Sequence, residues 1–225
     1  MHDDSAKARL GPILITAGPT WEPIDEVRFI GNRSSGRVGV AIARAAVSAG
    51  LETILLLGPG ITAPLPTGVD LYRFDSSRDL ESLLRTLWPD RARTLVMAAA
   101  VADFRGRSSD EGPSKIERTA DGITLKLEST PDLVAACAWR KRPDQLVVGF
   151  ALEQAAGLDE RARAKLERKN LDAIVANPLQ TMDAATIDAT LMWRNGHCES
   201  TGVLDKIAFG EWLLDRLAAR SAESR

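Results

Sequence analysis

Short, wholly apolar runs that stop abruptly at small residues constrain this chain more than any other feature. Ile13-Leu14-Ile15-Thr16-Ala17 ends at Gly18, and Thr53 to Leu57 ends at Gly58-Pro59-Gly60. Thr94 to Ala100, Leu146 to Ala151 and Ala173 to Ala176 have the same character. Runs of this length, apolar at every position, are strands buried on both faces. Asp70 to Phe74 supplies a further strand. Between the strands lie helical patterns over Arg37 to Ala49, Arg78 to Trp88, Thr130 to Arg140, Leu158 to Asn170 and Lys206 to Arg220. In the second of these, Leu80, Leu83, Leu84 and Leu87 share one face. Strands alternating with helices predict an α/β fold with a mainly parallel sheet covered on both sides. Asn195-Gly196, between Ala189 to Trp193 and His197 to Gly202, favours a tight primed turn and so an antiparallel hairpin extension. Gly122 to Leu127 alternates like an edge strand.

The chain has 225 residues, enough for one sizeable domain. Residues 1–10 are expected to be a disordered lead-in, and 11–222 a single domain. The net charge of -2 argues against bulk nucleic-acid binding. No apolar run is long enough to span a bilayer, and the polar start has no signal-peptide core. Two cysteines imply no disulfide framework, so a cytoplasmic location is expected. The two histidines, His2 and His197, do not suggest a catalytic triad, and metal-binding Cys/His spacing is absent.

In a mainly parallel sheet, ligands bind beyond the carboxyl ends of the strands. The loops after Ala17, Ala100 and Ala151 are therefore the places to look. The first runs from Gly18 to Gly39. Gly31 and Gly36 have P-loop spacing, but Arg37-Val38 stands where Lys-Ser/Thr belongs, which argues against that loop. The dinucleotide fingerprint G-x-G-x-x-G is absent too. Ser34-Ser35-Gly36 at a helix start reads equally as an anion site or as simple capping by serine. Asp103, after Met97-Ala98-Ala99-Ala100-Val101-Ala102, reads as a crevice residue or as a solvated loop aspartate, with pattern alone leaning to the latter. Thr130-Pro131-Asp132 opens a helix, as a cap or as a second anion site. Arg161, Lys165 and Lys169 fall on one helix face, which charge pattern alone makes a solvated surface. Residues 104–122 are polar and Gly/Ser-rich, the composition of a mobile loop.

Several segments together resemble the phosphopantothenoylcysteine synthetase family. They are Ile15 to Gly39, Met97 to Arg105, Lys115-Ile116, Pro131-Asp132, Val148 to Glu153 and Lys165 to Asp172, in order across residues 12–215. The resemblance implies a Rossmann-like, three-layer α/β/α fold in a homodimer. It implies a ligase of coenzyme A biosynthesis that joins 4'-phosphopantothenate to L-cysteine through an acyl-nucleotide. The co-substrate would be CTP, with ATP as the alternative, and Mg²⁺ would arrive with it. The chain would be a stand-alone form without the fused flavin decarboxylase, which could still associate as a separate partner. By the same resemblance, Asn32 and Lys115 would be catalytic. Arg28, Asn32, Ala99, Ala100 and Asp103 would bind substrate, with Arg28 reaching it from the neighbouring subunit. Gly18, Ser34, Ser35, Gly36, Met97, Ala98, Ala99, Asp103, Lys115, Pro131, Asp132, Leu133, Val134, Phe150, Lys165 and Lys169 would hold the nucleotide. The family's Ser-Ser-Gly-Lys-Met-Gly is Ser34-Ser35-Gly36-Arg37-Val38-Gly39 here, and Glu117-Arg118 replaces a basic pair. Arginine and lysine are not interchangeable at phosphates, so both differences bear on nucleotide choice. Two rival readings share the fold: an NAD(P)-dependent oxidoreductase and a non-catalytic nucleotide-binding module.

Overall fold

The computed structural model describes residues 7–106, 115–117, 122–182 and 184–223. Its main sheet has eight strands. In chain order these are β1 (Ile13–Ala17), β4 (Thr53–Leu57), β5 (Val69–Arg73), β6 (Thr94–Met97), β9 (Leu146–Glu153), β10 (Ala173–Pro178), β11 (Thr186–Trp193) and β12 (Cys198–Asp205). The spatial order is β12-β11-β10-β9-β6-β1-β4-β5. All neighbours from β5 to β10 pair in parallel, and β11 and β12 are the antiparallel extension. The chain leaves β1 toward β4 and β5, then crosses back to place β6 on the other side of β1. The sheet order therefore reverses between β1 and β6, and a crevice opens there.

Among the described residues, five α-helices of eight or more residues cover the sheet: α1 (Arg37–Ser48), α2 (Ser77–Leu87), α3 (Leu133–Arg140), α4 (Leu158–Arg168) and α5 (Lys206–Glu223). Alternate residues of each strand enter opposite cores. Ile13 and Ile15 pack with α1 and α5, whereas Leu14 packs with α2, α3 and α4. This is the three-layer arrangement expected from strands that are apolar at every position. Small residues let α1 come close to its neighbours. A Cβ on Gly39 would lie 2.5 Å from the Cβ of Ala17, and one on Gly210 of α5 would lie 2.6 Å from the carbonyl oxygen of Ala41. None of the described helices is long and apolar enough to cross a membrane.

Four local expectations change. Leu10, placed in the lead-in, is 1% exposed and belongs to the core, and Lys7 pairs with Asp215 at 2.7 Å. The run Thr94 to Ala100 stops being strand at Met97, because the chain then bends to form the crevice floor. The loop after β1 contains a hairpin, β2 (Trp21–Pro23) with β3 (Phe29–Gly31), fastened by the stacked rings of Trp21 and Phe29. The edge strand read over Gly122 to Leu127 begins only at Leu127: β8 (Leu127–Ser129) pairs with β7 (Phe104–Gly106). The mobile loop expected over 104–122 falls mostly outside the described residues.

Candidate active site

A cleft of about 940 Å³ opens at the carboxyl ends of β1, β6, β9 and β10. Asn32, Ser34, Ser35, Gly36, Met97 to Ala100, Asp103, Pro131 to Val134, Phe150, Lys165 and Lys169 all line it. Five sequence segments spread over almost 140 positions thus meet in one place. Gly18, Arg28 and Lys115 are not among the lining residues.

One wall is the start of α1. Its N-cap is Gly36, in the left-handed region at φ 65, and no side chain caps the helix. The capping role considered for Ser34 and Ser35 therefore does not hold. The Ser34 hydroxyl instead accepts from the Gly36 N–H at 3.3 Å, inside the loop. Residues 37–39 line the cleft, and their N–H groups lie beyond the reach of intrahelical carbonyls. With the helix dipole behind them they form an anion cradle. Gly36 is required here on two counts. Its φ is disfavoured for other residues, and a Cβ would come within 2.6 Å of Ile61. Gly18 lies beneath, its amide nitrogen 3.3 Å from where that Cβ would sit, so it makes room for the cradle.

The floor is the chain after β6. Thr16 and Thr20, both buried, use their hydroxyls to accept from the N–H groups of Ala99 and Ala102, each at 3.0 Å. Ala100 N–H donates to Gly18 O at 2.9 Å, and Thr20 N–H to Ala100 O. Asn32 donates its side-chain amide to Val101 O at 2.9 Å, which fixes the side chain at the cleft edge. Thr130 donates to Ala102 O at 2.5 Å, tying the floor to the approach to α3. The alanines are small enough for a ligand to reach the backbone. Asp103, exposed at the rim, follows directly.

The opposite wall is cationic and paired. Lys169 meets Asp132 at 3.0 Å, and Asp132 also caps α3 by accepting from Ala135 N–H at 3.2 Å. Lys165 and Arg161 both bind Glu153, at 2.5 and 3.0 Å. The hydrogen bond from Lys165 holds the Glu153 carboxyl below the usual carboxylate range, with Arg161 adding to it, against the opposing effect of burial. The face carrying Arg161, Lys165 and Lys169 is thus not a bare solvated stripe. Its partners keep two lysines oriented along the cleft.

Arg28 lies on the β2–β3 turn, ion-paired to buried Asp25. Asp25 also accepts from the N–H groups of Val27, Arg28 and Ile116 at 2.8, 2.7 and 3.1 Å, and Arg28 donates to Ile116 O at 3.2 Å. Burial pushes the Asp25 carboxyl up, but these donors and the guanidinium outweigh it and hold the pKa at about 2. Lys115 is exposed, and the residue after it is clamped by this pair.

Sequence reasoning passed over Asp25, Asn177 and Lys206. Asn177 stands one residue before the end of β10, on the ligand side, and donates to Thr181 Oγ1 at 2.8 Å; the carboxyl-end rule could have found it. Lys206 lines the cleft at 8% exposure, where α5 begins. Nothing in its neighbourhood along the chain marks it.

Residues 10–220 match the family model described as DNA/pantothenate metabolism flavoprotein C-terminal domain. Coenzyme A biosynthesis bifunctional protein CoaBC of Bacillus subtilis (strain 168) is 34% identical over 217 residues, covering 94% of this chain and 52% of its own length. CoaBC of Escherichia coli (strain K12) is 37% identical over 218 residues, with the same coverage. The chain spans about half the length of these curated relatives. The crystal structure of the C-terminal domain of a CoaBC protein superposes with a TM-score of 0.80 at 30% identity, covering 95% of this chain and 97% of that one. Matching motifs, fold and cleft agree: the chain belongs to the family of the DNA/pantothenate metabolism flavoprotein C-terminal domain, the phosphopantothenoylcysteine synthetase family that its motifs resemble.

Proposed function

We propose that the chain is a phosphopantothenate–cysteine ligase that uses CTP. The observation that carries the proposal is a single cleft with the uncapped start of α1 on one side and the oriented pair Lys165 and Lys169 on the other. Its relatives are named for coenzyme A biosynthesis. A 4'-phosphopantothenate carboxylate attacks the α-phosphorus of the triphosphate, and the α–β linkage breaks to release pyrophosphate. The cysteine amine then attacks the acyl carbonyl, forming the amide and releasing the nucleoside monophosphate. Neither step needs a protein nucleophile. The first step needs negative charge held as it shifts onto the leaving group. We assign that task to the α1 N–H groups and the two lysines, with Lys115 as a further cation for the phosphates. The floor backbone from Met97 to Ala99 meets the nucleotide, and Asn32 and Asp103 hold the pantothenate part. Mg²⁺ arriving with the triphosphate would neutralise phosphate oxygens. Of the cleft carboxylates, Asp132 is engaged by Lys169, which leaves Asp103 for such an ion; one carboxylate plus phosphates is its usual manner of binding.

The proposal includes a homodimer. Arg28 lies outside its own cleft between exposed Val27 and Phe29, apolar side chains suited to a second copy. There Arg28 would reach the neighbour's substrate phosphate.

The test is pyrophosphate release from purified protein given 4'-phosphopantothenate, cysteine and Mg²⁺, with CTP or ATP. Release with CTP, and a product of the mass of phosphopantothenoylcysteine, is the expected result. Release with ATP alone retains the ligase and reverses the nucleotide. Absence of release with both, from folded protein, overturns the proposal; NAD(P)H turnover measured by absorbance then identifies a redox enzyme.

A further inference from the structure

A second cleft, of about 460 Å³, lies at the opposite edge of the sheet, where β6 and β9 begin and β11 ends. Arg9, Arg93 and Arg194 reach it from three separate segments. Its two acidic residues are both ion-paired, Asp172 with Lys141 and Asp144 with Arg93. Asp172 is bound to Lys141 at 2.5 Å and to Val147 N–H at 2.8 Å, and Asp144 lies 3.9 Å from Arg93. Among the described residues no carboxylate is in ion-pair reach of Arg9 or Arg194; the Arg194 guanidinium donates to the Leu171 carbonyl at 2.8 Å, and its backbone N–H to the Asp172 carbonyl at 3.0 Å. The cleft therefore carries surplus positive charge.

Trp193 forms part of the wall, 4% exposed, with the Arg220 guanidinium 5.9 Å from its ring centre. Its indole N–H is a buried donor without a hydrogen-bond partner, which native interiors rarely leave unmade. Leu10 adds apolar surface. Convergent guanidinium groups suit the fork geometry of phosphate oxygens, and the volume suits a small organic molecule.

We infer that this cleft is a second ligand site, for a small phosphate monoester with an apolar body, held by Arg9, Arg93 and Arg194 against the wall that Trp193 and Leu10 provide. The site is separated from the ligase cleft by the full length of the sheet strands, and it does not depend on what that cleft catalyses.

The experiment is a titration of ¹⁵N-labelled full chain with phenyl phosphate, followed by the tryptophan indole signals. The chain has five tryptophans, and Trp193→Phe identifies the signal of interest. The expected result is a saturable shift of the Trp193 signal. It persists in a Lys165→Met/Lys169→Met variant, whose other cleft is weakened. It requires about tenfold more ligand in Arg9→Ala and in Arg194→Ala, the order expected for one lost charge-assisted hydrogen bond. Arg9 is exposed, so its removal leaves the core intact. An absent shift, a shift lost with Lys165 and Lys169, or equal affinity in both arginine variants overturns the inference.

Discussion

Gly39→Ala separates the position of α1 from the stability of the fold. The added Cβ would lie 2.5 Å from the Ala17 Cβ, 3.0 Å from Thr16 O and 3.1 Å from the Ala17 Cα. Ordinary carbon contacts are about 3.5–4.0 Å, so the start of α1 must retreat from β1 by about 1–1.5 Å. Overpacking of this kind costs about 1–3 kcal/mol. Replacing a helical glycine by alanine returns about 1 kcal/mol. The net loss is about 0–2 kcal/mol, a few degrees in melting temperature for a domain of this size. The retreat moves the N–H cradle of residues 37–39 away from the floor alanines. Misplacement by about 1 Å can cost about 100-fold in rate. Steady-state pyrophosphate release should therefore fall about 100-fold in kcat/KM for the triphosphate, while thermal unfolding changes little. A variant with wild-type kcat/KM would refute the claim that the Gly39–Ala17 approach sets the cradle, whatever its melting temperature.

Asn32→Ala should abolish amide formation with an unchanged melting temperature, because the side chain is anchored only to Val101 O at the surface; full activity would remove Asn32 from the site. If Arg28 acts on the neighbouring subunit, mixing inactive Arg28→Ala and Lys165→Met proteins should restore part of the activity, since some heterodimers carry one intact cleft; mixtures that stay inactive would place Arg28 on its own chain or outside the reaction. Lys115→Gln should raise the KM for the triphosphate more than that for phosphopantothenate, and equal rises would give the segment a structural role. Asp25 has a folded pKa of about 2 against an ordinary value of 3.8, so its carboxylate contributes stability that is complete above 3.8 and is lost as pH falls toward about 2. Denaturant unfolding of Asp25→Asn should accordingly differ from wild type by a constant amount at neutral pH, with the gap closing only in that acid window. Burial raises the Cys137 thiol to about 12, so a thiol reagent should label exposed Cys198 in the native protein and reach Cys137 only on unfolding.

The main sheet was legible because its strands are buried on both faces, which writes a continuous apolar run into the sequence. The β2–β3 hairpin was not, since each strand has three residues and Pro23 interrupts any alternation. Gly122 to Leu127 misled because alternation marks a strand only where a partner exists, and among the described residues pairing with β7 begins at Leu127. The site divides along the same line. The crevice floor and the α1 start could be read because small residues crowd where a backbone must approach a ligand, and that crowding is contiguous. Asp25 could not be read, because its meaning comes from Ile116, 91 positions away. Lys206 is similar: it reaches the cleft only because β11 and β12 return the chain to the start of α5, a consequence of topology rather than of any local pattern. What the local sequence encodes is the surface that a ligand touches. What positions that surface — a buried carboxylate gripping a distant loop, paired carboxylates that aim two lysines — is distributed over the chain. Substitutions in that second set should therefore change how well the cleft closes before they change whether it can react.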